Sequence, residues 1–216
     1  MSITPHGYVS VIGVALGHPL VQLVEQLISQ PVVPPNEVQT SQRENGYAMG
    51  IIVLAVLLLE SALHRTCYVR EERVERDMAA YFQHLHSGFE LVAAVHEVFA
   101  LRDAIVHNHI WEAQIVWAPD GSLRLEGIPQ IREGYGNRCF YKVLEPQTRL
   151  SHQLRLHLFP PQIFRRDAFV VLHTIVRALA ALEAMDRNYF CVSMPIFPFH
   201  GRLMTLPEIV ETLDYV

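Results

Sequence analysis

The feature that most constrains this chain is its longest apolar run, Tyr47 to Leu59, which ends at Glu60. Thirteen such residues fall short of the roughly 20 that a membrane span needs, so the run reads as a buried core helix of about Ala48 to His64. Glu60 marks where that helix meets solvent. No membrane segment is expected. A helix apolar on most of its circumference must be wrapped on several sides, and the rest of the chain offers the wrapping. Leu20, Leu23, Val24, Leu27 and Ile28 recur at helical spacing after His18-Pro19, predicting an amphipathic helix ending near Gln30. Residues 31–45 read as a loop.

Further helices follow. Val74, Met78, Tyr81, Phe82 and Leu85 share one face of a helix predicted over Arg70 to Leu85, with Glu72 and Arg76 four apart on the other. Ser87 and Glu90 form a capping-box pattern ahead of Val92, Val95, Val98 and Phe99, a stripe running into Leu101–His107. The turn sequence Ala118-Pro119-Asp120-Gly121-Ser122 lies between Ile115–Trp117 and Leu123–Leu125 and predicts a β-hairpin. Leu154, Leu156 and Leu158 alternate with Arg155 and His157 as in a short strand, which Pro160-Pro161 would break. Asp167 is the expected N-cap of a long helix from Ala168 to about Met185, and Thr205 with Glu208 predicts a last short helix. The expected architecture is mainly α: a single helical domain over residues 1–216, with a β-containing insertion at about 112–160.

Composition narrows the function classes. The chain has 216 residues, half of them hydrophobic, with a formal net charge of −5, which argues against a broadly basic nucleic-acid binder. Its charged fraction of 18% is low and hints at a face covered by another subunit. Sixteen of the 17 cations are arginines, whose planar forks suit phosphate or carboxylate. Arg65, Arg70 and Arg73 are candidates for guiding a polyanion. Cys67, Cys139 and Cys191 make no pair at metal or redox spacing, and no secretory signal is visible, so a reducing cytoplasm is expected. Glycine-rich phosphate loops and the GxSxG elbow are missing. His84-x-His86 and His107-x-His109 diverge by about 200° on a helix and cannot chelate one ion together, so no metal and no cofactor is expected.

The most informative segment is Leu101-Arg102-Asp103-Ala104-Ile105-Val106-His107-Asn108-His109. It crowds polar side chains onto the end of an apolar helix, where burial without partners is costly. Asp103 and His107 are four apart and share a face, so the carboxylate can orient the imidazole for acid/base work. Arg102 and His107 are five apart and fall on different sides of an ideal helix. A second copy of the segment facing the first would supply both groups from both sides, which favours a two-fold homodimer with the cluster at its interface.

At these residues the chain resembles the HEPN superfamily (higher eukaryotes and prokaryotes nucleotide-binding), whose signature is an arginine, a polar residue, and a histidine after four to six intervening positions. Arg102, Asp103 and His107 match it. The resemblance takes in the helices from about His18 to Trp111 and the long helix after Asp167, and leaves the hairpin region unexplained. It implies a HEPN-like helical bundle and a metal-independent endoribonuclease acting on RNA as a homodimer. Arg102 would hold the phosphate, His107 would move protons and Asp103 would orient them, with Asn108 and His109 as candidate substrate contacts. It also implies a toxin or defence effector with an antitoxin or defence-system partner, or a non-catalytic dimer that binds a nucleotide, RNA or protein. In members controlled by tyrosine modification a tyrosine follows the histidine by two positions. His109 stands there instead, so that mode of control is not expected.

Overall fold

The core helix is longer than the apolar run that predicts it. In the computed structural model, which describes residues 12–34, 37–39, 43–73, 77–107, 111–131, 138–186 and 190–213, helix α2 runs unbroken from Glu44 to Val69. Glu60 therefore lies within the helix, not at its exit. Helix α1 (Ile12–Ser29) packs along α2 through Leu20, Val24 and Leu27, all fully buried. It begins before the expected His18, so Pro19 sits inside the helix with its ring on the exposed side.

The helix expected from Arg70 divides. The chain leaves α2 through Arg70 and Glu71, the latter at φ +55°, and the next helix among the described residues is α3 (Met78–Leu85). The Asp77 carboxylate caps α3 by accepting from the Ala80 N–H at 3.0 Å. Val74 and Arg76 lie outside the described residues. Helix α4 (Val92–Val106) starts without the predicted capping box: its N-cap is Leu91, and Glu90 instead pairs with Arg177. A tertiary ion pair holds the Glu90 carboxylate in place of the local capping hydrogen bond.

The predicted hairpin is present and longer than expected, with β1 (Trp111–Trp117) antiparallel to β2 (Leu123–Ile131). Asp120 closes its turn by accepting from the Ser122 N–H at 2.9 Å, and Gly121 supplies the φ of +79° that the turn requires. On the free side of β2, the Val38 N–H donates to the Leu123 carbonyl at 2.8 Å. A short helix follows, α5 (Arg138–Val143).

The strand expected at 154–158 is a loop. Glu97, buried on α4, accepts from the Ser151 hydroxyl and from the Gln153 and Leu154 N–H groups at 2.6–2.8 Å, drawing the backbone toward itself and out of any ladder. Arg155 adopts φ +56°. Leu156 and Leu158 still enter the core, fully buried. After a single 3-10 turn (Pro160–Gln162) comes helix α6 (Arg165–Met185), capped by Phe164 and not by Asp167. Asp167 sits three residues further in and reaches back to accept from the Phe164 N–H at 2.9 Å.

A second hairpin, β3 (Ile196–Phe199) with β4 (Arg202–Thr205), turns through His200 and Gly201, both at positive φ. Helix α7 (Leu206–Glu211) carries the predicted Thr205–Glu208 capping box. The fold is mainly α, and one buried apolar cluster joins residues from every helix and from β3 and β4. By length and composition alone α2 and α6 could each cross a membrane, but only half of the α2 window and 56% of the α6 window lie inside the fold.

Candidate functional site

Helix α4 carries two kinds of surface. Ala94, Val95, Val98, Leu101 and Ala104 face the core, whereas Arg102, Asp103 and His107 lie on the outer side. The helix stops at Val106, and His107 is its C-cap, with φ −93° and ψ 10° and its N–H donating to the Asp103 carbonyl at 2.9 Å. Because the chain leaves the helix here, the 100° spacing no longer fixes where His107 points. Its Nε2 comes to 3.8 Å from Asp103 Oδ1, with the side chain 62% exposed.

Arg102 meets the same oxygen. Its Nε lies 3.2 Å from Asp103 Oδ1, close enough for an ion pair but without an aligned hydrogen bond, so that buried N–H has no acceptor among the described residues. The Arg102 and His107 nitrogens can therefore be no further apart than those two distances combined. The angular separation that argued for a second copy is bridged within one chain by Asp103.

Two further residues complete the setting. Glu60 on α2 places Oε2 at 3.6 Å from Arg102 Nη2, and the guanidinium carbon stands 5.6 Å from the Phe99 ring centre. Arg102 thus rests on an aromatic face between two carboxylates. With its side chain 18% exposed and both acids 25% exposed, each pairing is worth on the order of 1 kcal/mol. Glu60 was visible in the sequence as an acid on an apolar rod. Its partner was not, because nothing in the spacing of α2 reports which residue of α4 lies opposite. Leu57 and Val106, one turn from Glu60 and from Arg102 or Asp103, are exposed apolar side chains on the same two helices, at 37% and 50%.

Asn108 and His109 lie outside the described residues. Of the cations proposed to steer a polyanion, Arg65 pairs with Asp186 at 2.9 Å and Arg70 with Glu72 at 2.7 Å. Arg73 borders a cleft with Glu72, Tyr81 and His84. Burial and the hydrogen bond that Tyr81 donates to Glu72 push the Tyr81 phenol well above its ordinary range. His84 is exposed, whereas His86 packs against the rings of Phe82 and Phe89, and burial lowers its pKa. Among the described residues no three His, Cys, Asp or Glu side chains converge as a metal site would require.

Comparison with protein-family models, curated proteins and solved structures finds no match to this chain.

Proposed function

We propose that this chain is a HEPN-like helical bundle that cleaves RNA without a metal, using Arg102, Asp103 and His107 at or beside a homodimer interface. The observation that carries the reading is the meeting of a guanidinium and an imidazole at one carboxylate oxygen, on a solvent-facing helix end. The 2′-hydroxyl of the RNA attacks the adjacent phosphorus, the bond to the 5′-oxygen breaks, and a 2′,3′-cyclic phosphate and a 5′-hydroxyl result. Arg102 stabilises the charge that builds on the non-bridging oxygens. His107, the most exposed member, takes the proton from the attacking hydroxyl or gives one to the leaving oxygen. Asp103 holds both groups in register. Cytoplasmic action as a toxin or defence effector, with an antitoxin or defence-system partner, belongs to the same proposal.

The test is incubation of the purified chain with end-labelled RNA in EDTA, followed by analysis of the product ends. Cyclic phosphate ends, and protection of any linkage whose 2′-hydroxyl is replaced by hydrogen, are expected. Products with 5′-phosphates, or cleavage at 2′-deoxy positions, contradict the mechanism.

A second reading, a dimer that binds a nucleotide, RNA or protein through this face without cutting, draws on one observation: Glu60 and Asp103 together more than offset the Arg102 charge. Saturable binding with intact RNA identifies it.

A further inference from the structure

A second polar cluster lines a cleft of about 220 Å³ between β2 and the 148–162 segment. Its wall includes Thr148, Arg149, His157 and Gln162, with Gly127 and Phe159 supplying small and apolar surface. No Asp or Glu lines it among the described residues, in a chain whose acids outnumber its Lys and Arg by 22 to 17. Glu145, the acid of the adjoining turn, is engaged by Arg155 at 2.6 Å and by Thr148. Arg149 therefore stands in the cleft without a carboxylate partner among the described residues.

Three features show that Arg149 is placed and not merely loose. Its backbone holds φ +59°, a left-handed conformation that a non-glycine residue adopts only where its surroundings enforce it. Its Nη2 donates to Gln130 on β2, which fixes the guanidinium against the hairpin. Its Nε–H is buried with no acceptor among the described residues, and a buried donor of this kind calls for a ligand or solvent partner. His157 is placed as firmly: its N–H donates to Asp167 at 3.1 Å, and its Nδ1 lies 3.0 Å from the same fully buried carboxylate. Nδ1 is thereby committed as a donor, leaving Nε2 as the ring nitrogen not held by Asp167.

We propose that this cleft binds a terminal phosphate group, as inorganic phosphate or as the monoester of a nucleotide, with Arg149 as its anchor and His157 beside it. A guanidinium fork matches phosphate oxygens in pairs, and among the described residues no carboxylate in the wall is set against the anion. The site stands apart from the nuclease reading, because it requires binding and no cleavage.

The test is isothermal titration of the full chain with inorganic phosphate, a nucleoside 3′-monophosphate, a nucleoside 5′-monophosphate and the parent nucleoside. Saturable binding of a phosphate-bearing compound is expected, with Kd below about 1 mM, and none of the bare nucleoside. Equal affinity for phosphate and nucleotide assigns free phosphate as the ligand, and tighter nucleotide binding assigns the monoester. Measured in an R102Q/H107Q background, which removes the phosphate contact proposed on α4, Arg149→Gln should weaken binding at least tenfold. Circular dichroism checks each fold. If Arg149→Gln does not fold, Arg149→Lys is read in its place, with a three- to tenfold loss because an ammonium lacks the fork. No saturable binding, undiminished binding in the Arg149 variant, equal binding of the nucleoside, or loss of binding in R102Q/H107Q overturns the proposal.

Discussion

If Arg102 holds an RNA phosphate as proposed, Glu60 sets how readily it can do so. Facing the guanidinium at 3.6 Å, it competes with any incoming anion, so Glu60→Gln in a His107→Ala background should tighten RNA binding about three- to tenfold at low salt, measured by fluorescence anisotropy. Weaker binding would show that Glu60 positions Arg102 and does not screen it. His86 makes a separate prediction. Burial against Phe82 and Phe89 lowers its pKa below the ordinary imidazole value of about 6.5. The unfolded chain then takes up this proton first on acidification. Stability from His86 is full above about pH 6.5 and lost as pH falls through the lower folded value. His173, lowered by burial and by Arg177, acts in the same direction. The urea midpoint should drop between pH 7.5 and 5.5, and His86→Phe should shrink that drop; an unchanged drop contradicts the assignment. At this scale the approach of His107 to Asp103 was legible in the sequence because an i,i+4 spacing is local. The sequence could not disclose Glu60 or Phe99 as the setting of Arg102, since one contact crosses between helices and the other depends on how the guanidinium lies.

Elements were legible where local signals had no tertiary competitor. The β1–β2 turn and the Thr205–Glu208 cap formed as their residues dictate. The Ser87–Glu90 box failed because Arg177 claims Glu90, and the 154–158 strand failed because Glu97 accepts that loop's N–H groups. The β3–β4 hairpin went unread, its His200-Gly201 turn being less distinctive than an Asn-Gly pair. Its packing yields a test. Gly17 on α1 lies so close to Phe197 that an added methyl would meet the edge of the ring. Alanine favours a helix interior over glycine by about 1 kcal/mol, whereas overpacking costs about 1–3 kcal/mol. Gly17→Ala should therefore destabilise the chain by up to about 2 kcal/mol in urea unfolding, where an open helix position would gain about 1 kcal/mol. A gain in stability would mean that β3 does not lie on α1 in this way.

For the molecule as a whole, the apolar run of α2 foretold a helix wrapped by others, and the buried cluster around it has that form. What lay beyond reach was how α2 and α4 set their outer faces side by side. That arrangement combines the Arg102 cluster with exposed Leu57 and Val106, and the proposed homodimer buries both. Val106→Glu should convert a dimer to a monomer in sedimentation equilibrium and lower RNA cleavage at least tenfold; a monomeric wild type removes the interface from the proposal. Whether Arg102 and His107 perform the chemistry is read from the rate of RNA cleavage in EDTA. Cleavage by the wild-type chain is expected, with losses of at least 100-fold, about 2.7 kcal/mol, in both Arg102→Ala and His107→Ala while each variant stays folded at the assay temperature. Cleavage that persists in either folded variant, or no cleavage by the wild type, contradicts that role.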